Sequence, residues 1–492
     1  MLAGSSMAPR GDLFAAIDLG ATSGRVIVGE VDGERITATE CSRFENRPVR
    51  VGGLLQWDVL SLWADATAGL ARAAAENPGI RSVAVDTWGV DVALTRGERL
   101  LGNPVHYRDT RTDAVIEQVH ALVPPEELFS RAGVQPASIN TIYQLVAEQS
   151  GGLIDAADGA LLMPDVFSYW FTGERIAERT MASTTGLLSA ETGDWDRGLL
   201  EKVSIPADLF ARVVPAGTRL GPIRDDVAAD IGLASSIDVV ATAAHDTAAA
   251  AVATPLPSRG GVFVSCGTWG LIGVERDRPL LGAAAFAAGV TNERGLDDRY
   301  LVMRNGMGLW ILSETLRGWD ATDELTELLA RATALGDAVP VFDVEDPRFQ
   351  IPGDMPARIA AWCEEHGVAP PQGRVAIVRS IIESLAHALA ASAHEIGRLT
   401  DEPVTQINIV GGGSRNELLC ARVADHAGVP VYAGPNEATA LGSLLVQART
   451  AGTVNGTVDD LRAIVTRTIA PRQHLPGARH DDARSRAERS AR

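Results

Sequence analysis

A His-Asp-Thr triplet at residues 245–247 opens an alanine-rich run, and soon afterwards an apolar stretch meets Cys266-Gly267-Thr268-Trp269-Gly270. The triplet offers a carboxylate, Asp246, that could take a proton from a hydroxyl. The glycine turn offers backbone amides and the Thr268 hydroxyl, groups suited to holding a phosphate. Asp246 falls where the apolar strand Ile237–Thr242 gives way to a helix, and a helix dipole favours an ionised carboxylate there. Asp and Thr are also favoured helix caps, so position alone leaves cap and base both open.

A second set of hydroxyls and glycines lies near the start. LFAAIDLGATSGRVIVGEV (13–31) predicts strand, tight turn, strand. Backbone amides of the turn, with Thr22 and Ser23, could wrap terminal phosphates, and Arg25 adds a positive charge. Asp18, at the end of the first strand, could orient a hydrated Mg²⁺. An ordinary hairpin whose glycines serve only the turn is the other reading. The stretch 261–275, GVFVSCGTWGLIGVE, repeats the same strand-turn-strand plan. Two such turns, each heading half the chain, suggest duplicated domains that share one nucleotide.

RSVAVDTWGVDVAL (81–94) predicts a buried strand that breaks at Asp86-Thr87-Trp88-Gly89 and resumes. Aspartates are costly to bury unpaired, so Asp86 and Asp91 suggest a site or a strand-edge turn rather than core. A sugar suits this chemistry: a ring face to stack on, polar groups for hydroxyls, a glycine for close approach. In INIVGGGSRNELL (407–419) a short apolar strand meets Gly411-Gly412-Gly413-Ser414, and a helix is predicted from about Asn416. This is neither G-x-G-x-x-G nor a Walker loop, which disfavours the Rossmann and P-loop readings. Asn305, between a strand and an amphipathic helix, is placed to face a cleft.

The elements that must position these residues are those of a large α/β chain. At 492 residues two or more domains are expected. TPLPSRGG (254–261) breaks the chain, dividing it into a leader (1–12), domains at 13–253 and 254–470, and a tail (471–492) expected to be disordered. Met7 is an alternative start. A net charge of −19 argues against nucleic acid as a partner but not against ATP. Four scattered cysteines without a C-x-x-C pair argue against zinc and disulfides and fit a reducing, cytoplasmic location. No run approaches about 20 uninterrupted apolar residues, so no membrane partner is expected. The long pattern at 375–399 predicts an amphipathic packing helix.

Three glycine-rich turns in this order, from IDLGATSGR to EATALGSLL, resemble the FGGY family of carbohydrate kinases over nearly the whole chain. The resemblance implies an α/β, two-domain actin/hexokinase-like (ribonuclease H-like) ATPase fold with a central cleft. VDTWGVDVAL, PVHYRDTRTD, INTIYQL, AAHDTAAA, CGTWGLIG and RNGMGLW resemble the branch acting on L-rhamnulose. The implied reaction is ATP-dependent, Mg²⁺-assisted phosphorylation of the 1-hydroxyl of that ketose, by a monomer or homodimer. L-fuculose, D-xylulose or glycerol are alternative substrates, and an actin- or Hsp70-like ATPase switch is the rival of another class. Residue by residue, the resemblance implies that Ala21, Thr22, Ser23, Gly24, Arg25 and Thr268 contact the ATP phosphates, and that Gly411 and Gly412 contact the nucleoside. It places Gly89, His245, Asp246, Thr247 and Asn305 along the sugar, with Asp246 as general base. Two positions depart from the family: Ser313 stands at a nucleotide-contact position usually held by glutamine, and Cys266 where serine is usual.

Overall fold

The structure, a computed structural model, describes residues 11–336 and 339–477. Met7 and most of the expected leader and tail lie outside the described residues. The chain falls into two compact units. The first takes Met1–Pro255, Glu275–Val302 and Ala438–Thr468; the second takes Leu256–Val274, Met303–Glu437 and Ile469–Arg492. The crossings between units, near residues 255, 274, 302, 437 and 468, have no single sequence signature.

The first unit is built on a six-stranded sheet. Its order is Thr218–Pro222, Asp238–Ala241, Ile80–Thr87, Asp12–Leu19, Ser23–Val31 and Ile36–Glu45. Asp12–Leu19 runs parallel to Ile80–Thr87 and antiparallel to Ser23–Val31, so the predicted N-terminal hairpin is present. Asp12–Leu19 and Ile80–Thr87 are buried along almost their whole lengths, as continuous apolar runs covered on both faces should be. One cover is the helix Val59–Glu76, capped by Asp58, whose side chain accepts from the Ser61 amide at 3.1 Å.

A second cover comes from late in the chain. In the helix Ala438–Thr450, Gln447 donates through Nε2 to the Ala15 carbonyl at 2.9 Å and accepts from the Ser82 hydroxyl at 2.7 Å. The same helix packs against Asp246–Ala253, whose DTAAAAVA sequence has small side chains that permit close approach. A Cβ at Gly442 would lie 1.9 Å from the Ala249 carbonyl oxygen. Arg462, on the helix Val458–Thr468, braces the far end by donating to the Ala251 carbonyl at 2.9 Å and pairing with Glu275 at 2.8 Å.

In the second unit, Gly261–Cys266 pairs antiparallel with the strand that begins at Trp269 and parallel with Gln406–Val410. Val431–Ala433 follows in parallel, and Arg472–His474 joins it antiparallel. The tail was expected to be disordered from residue 471, yet residues 472–474 form this edge strand. Backbone pairing to a free edge does not require apolar side chains.

The predicted helix at 375–399 is present as Gly373–Leu399. By length and mean hydropathy it is apolar enough to cross a membrane, which the absence of a long uninterrupted apolar run did not reveal. In this fold 61% of its most apolar window is buried, and it carries the Arg379–Glu383 ion pair, 3.2 Å apart, as expected of a core helix.

The Gly442 contact gives a direct test. Gly442→Ala is expected to force the Ala438–Thr450 helix away from Asp246–Ala253 and to cost about 1–3 kcal/mol by overpacking. Thermal denaturation should show a midpoint several degrees lower; an unchanged midpoint would mean the two helices are not tightly seated.

Candidate active site

Sheet register sets three charged side chains in a row. Asp18 stands opposite Arg25 on one side and opposite Asp86 on the other. Residues level with one another on adjacent strands share a face, so Arg25, Asp18 and Asp86 project together. Asp18 and Arg25 form an ion pair. Asp86 is fully buried, and neither of its carboxyl oxygens has a hydrogen-bond partner. Burial first, then the charges of Asp18 and Asp246, pushes the Asp86 carboxyl well above the ordinary range; the charge of Arg25 acts the other way. The alternation-breaking aspartate in an apolar strand was a sequence signal, but its place beside Asp18 follows from register.

The end of the Ile80–Thr87 strand also delivers the His-Asp-Thr triplet. The Thr87 amide donates to the Ala244 carbonyl at 2.9 Å, and Thr87 bridges to His245 in parallel. Ala244 and His245 are held from a second side, by Glu178 and Thr180. The Ala244 amide donates to Glu178 Oε2 at 3.1 Å and the His245 amide to the Thr180 hydroxyl at 3.2 Å. Glu178 is buried, and burial raises its pKa despite these donors.

Asp246 is the first residue of the helix Asp246–Ala253, and His245 occupies the cap position without a side-chain capping bond. The aspartate is therefore not the helix cap that its residue type suggests. Its Oδ1 instead accepts from the Thr247 amide at 2.6 Å and the Thr247 hydroxyl at 3.1 Å. Oδ1 is thus held by Thr247, and no hydrogen bond to Oδ2 occurs among the described residues. The side chain is 36% exposed, whereas Thr247 is buried.

His245 sits between two carboxylates. Its Nε2 lies 3.3 Å from Asp246 Oδ1, and its Nδ1 lies 2.9 Å from Glu293 Oε2. Burial opposes the charged imidazolium, but Glu293, followed by Asp246 and Glu178, more than offsets this and raises the pKa to about 9. Glu293 belongs to the strand Val290–Arg294, and nothing in its local sequence marks it.

Gly89 lies beside the same imidazole: a Cβ there would be 3.3 Å from His245 Nε2 and 3.2 Å from the Thr184 methyl. The next residue, Val90, has φ 69°, a strained conformation for a β-branched residue. It is held there by the Thr184 hydroxyl, which accepts from its amide at 3.0 Å, and by Thr141 and Gln144, which donate to its carbonyl.

The expected sugar-stacking group is arranged differently. Trp88 is buried, its ring centroid 4.0 Å from that of Trp57, which in turn stacks on His106 at 4.1 Å. Asp91 organises this cluster, accepting from Trp57 Nε1 at 2.6 Å, Trp88 Nε1 at 2.8 Å and Gln144 Nε2 at 3.0 Å. Burial raises Asp91 to about 6 against the pull of those donors, leaving it ionised at neutral pH. Of the two aspartates in the motif, Asp91 is satisfied within the core and Asp86 is not.

Around the N-terminal turn, the Gly20 amide donates to the Ser23 carbonyl at 2.9 Å, and Asn46 Nδ2 donates to the Gly20 carbonyl at 2.9 Å. Thr22 is exposed, and Ala21 and Ser23 are half-buried. Gly24 is required by packing, since a Cβ would lie 2.2 Å from the Phe44 ring.

In the second unit, Gly267, Thr268 and Trp269 form an exposed hairpin tip. Leu309 and Trp310 lace it down by donating to the Gly267 and Thr268 carbonyls at 2.8 and 3.1 Å. Gly411 has φ 74°, a glycine conformation, and Gly413 leaves room for Cys266, whose Sγ would lie 2.5 Å from an added Cβ. The Ser414 hydroxyl closes this turn onto the Gly411 carbonyl at 2.7 Å, and Asn416 caps the helix Glu417–Ala427. Cys266 is buried, its thiol pushed up to about 12 by burial. Asn305 and Ser313 are both exposed.

Comparison with known proteins agrees with this geometry. Residues 13–253 match the N-terminal domain of the FGGY family of carbohydrate kinases, and residues 262–451 match its C-terminal domain. The chain is 39% identical over 478 residues to a rhamnulokinase of Enterobacter sp. (strain 638), covering 96% of each chain. It is 35% identical over 466 residues to a rhamnulokinase of Bacteroides thetaiotaomicron, covering 94% of this chain and 96% of the relative. Its fold is that of the xylulose kinase of Rhodospirillum rubrum, with a TM-score of 0.78 at 19% identity over 97% of both chains. The chain belongs to the FGGY family of carbohydrate kinases.

Proposed function

We propose that the protein transfers the γ-phosphoryl group of ATP to the 1-hydroxyl of L-rhamnulose, giving L-rhamnulose 1-phosphate and ADP. The observation that carries the reaction type is Asp246: a partly exposed carboxylate, pinned through Oδ1, with Oδ2 available to a hydroxyl. The sugar is assigned from two relatives, both named rhamnulokinase, that align almost end to end with this chain.

In this reading the sugar hydroxyl attacks the γ-phosphorus in line, its proton passes to Asp246, and the bond to the ADP oxygen breaks. Gly89, His245, Thr247 and Asn305 hold the sugar. Buried Thr247 acts mainly by fixing the Asp246 carboxylate. Residues 21–25 and Thr268 hold the phosphates through backbone amides and hydroxyls, while Gly411 and Gly412 admit the nucleoside. Exposed Ser313 is the position proposed for a further nucleotide contact.

Mg²⁺ binds through one or two carboxylates plus phosphates and keeps several waters. Asp18 and the partnerless oxygens of Asp86 fit that pattern. Among the described residues no group of three His, Cys, Asp or Glu could hold a metal, which disfavours an all-protein cage. When bound with ATP, Mg²⁺ would neutralise phosphate charge, and the ion pair with Arg25 would hold the Asp18 carboxylate in position.

An ADP-release assay over a panel of ketoses and polyols tests the substrate. ADP formation should depend on L-rhamnulose; sugar-independent ATP hydrolysis without a sugar phosphate would favour an ATPase switch instead. Asp246→Ala should lower kcat by about 10²–10⁴-fold with the sugar KM changed only a few-fold. A kcat near wild type would remove Asp246 from the base role.

Asp86→Asn addresses the partnerless carboxyl. Removing a buried carboxyl that lacks hydrogen-bond partners and faces two like charges should raise the thermal midpoint of the nucleotide-free protein at neutral pH, while turnover falls. Lower stability would show that the native fold provides a stabilising partner for the charge.

A further inference from the structure

Glu293 has no role in the reading above, yet it makes the shortest contact to the His245 ring, 2.9 Å from Nδ1. Its own strand does not need it. The flanking residues hold the strand in place: Asn292 Nδ2 donates to the Gly133 carbonyl at 2.9 Å, and the Arg294 amide donates to the Ser183 hydroxyl at 2.8 Å. Side chains alternate along a strand, so Glu293 points opposite to these two anchors and toward the imidazole. It is largely buried, with 12% of its side chain exposed, and its charge is therefore poorly screened.

We propose that Glu293 is a positioning residue for the sugar: it holds His245 as an imidazolium of fixed orientation, so that Nε2–H is presented beside Asp246 as a hydrogen-bond donor. Both ring nitrogens of an imidazolium are donors and neither can accept a proton. Nδ1 is occupied by its ion pair with Glu293, 2.9 Å away, leaving Nε2–H for an acceptor oxygen of the sugar. Asp246 then remains the one member of the pair able to act as base. Gly89 contributes by keeping Nε2 uncovered, since its missing Cβ would lie 3.3 Å from that atom.

The groups acting on the imidazole from the surrounding elements are Glu293 from its strand, Asp246 from the helix and Glu178 from the segment behind it. Burial disfavours the proton, and these three carboxylates outweigh it. The sign follows. The folded-state pKa, about 9, lies above the ordinary 6.5, so the stabilising charge is complete below the ordinary value and is lost as pH rises through about 9.

The inference rests on the assignment of Asp246 as base and His245 as a sugar contact, and the experiment separates the two. Glu293→Gln keeps the side-chain shape and removes the charge. Steady-state kinetics across the alkaline range should show the L-rhamnulose KM raised by about 10–100-fold, the loss expected for a charge-assisted hydrogen bond. The ATP KM should stay within a few-fold of wild type. The alkaline limb of kcat/KM, near pH 9 in the wild type, should move toward neutrality. Glu293→Asp, which keeps the charge, should restore part of both.

An unchanged sugar KM and pH profile in Glu293→Gln would overturn the inference. Should that variant fold poorly, ¹⁵N NMR of the wild-type imidazoles at pH 8, with His245 assigned by its loss in His245→Gln, decides the same point. A doubly protonated ring supports the inference and a neutral one overturns it. Absence of L-rhamnulose phosphorylation by the wild type would instead reject the proposed function, and the NMR result would still stand or fall by itself.

Discussion

One backbone hydrogen bond, from the Thr87 amide to the Ala244 carbonyl, fixes the relations among the charged groups of the first unit. It extends the parallel sheet by one step beyond Asp238–Ala241, at the point where that chain leaves its strand for the Asp246–Ala253 helix. Because Thr87 follows Asp86, and Asp86 is level with Asp18, this bond brings Asp246 within electrostatic reach of both. Shifting the register by one residue would turn Asp86 to the other face and separate it from Asp18. The acidic cluster is thus a consequence of sheet geometry more than of any local motif.

That arrangement is costly to fold. Asp86 is buried without a partner and Val90 sits in a left-handed conformation, features that persist only where the surrounding structure over-determines them. Here the surroundings are close-packed and well bonded. Asp91 gathers two indoles and an amide under the loop, Thr184 and Gln144 grip Val90, and the Ala438–Thr450 helix seats against the sheet through Gln447 and against the Asp246–Ala253 helix at Gly442. The strain is therefore local to Asp86 and Val90, and support comes from the residues packed around them.

Legibility in the sequence followed how local each feature is. The hairpins at 13–31 and 261–275, the Gly411 turn with its helix capped by Asn416, and the long helix from Gly373 were readable because their signals lie within a few adjacent residues. The motif DTWGVD read as a site or a strand-edge turn, but the different surroundings of its two aspartates were not visible. Asp86 and Asp91 are similar in sequence and differ only in whether indoles and Gln144 reach them across the fold. Trp88 read as an open stacking face, yet its ring is spent on Trp57. Asp246 read as a cap by residue type; the backbone turn placed His245 there instead, because the extended φ/ψ of a cap falls one residue earlier. Glu293 left no trace, since a lone acid in a strand of ordinary composition acquires meaning only from the ring it meets.

The pairing of His245 with two carboxylates also bears on how a base works in this setting. An aspartate accepting a proton from a sugar hydroxyl must be ionised before transfer and must not be so strongly hydrogen-bonded that its basicity is lost. Thr247 donates to Oδ1 at 2.6 Å and His245 Nε2 lies 3.3 Å from that oxygen, while no hydrogen bond to Oδ2 occurs among the described residues. The carboxylate is thereby oriented through one oxygen and left open at the other, as the proposed base role requires. Asp246 thus faces a second acid at Asp86, whose pKa its charge helps to raise, and a histidine at His245, whose protonated form it favours, so neighbours of opposite character act on it rather than a single partner.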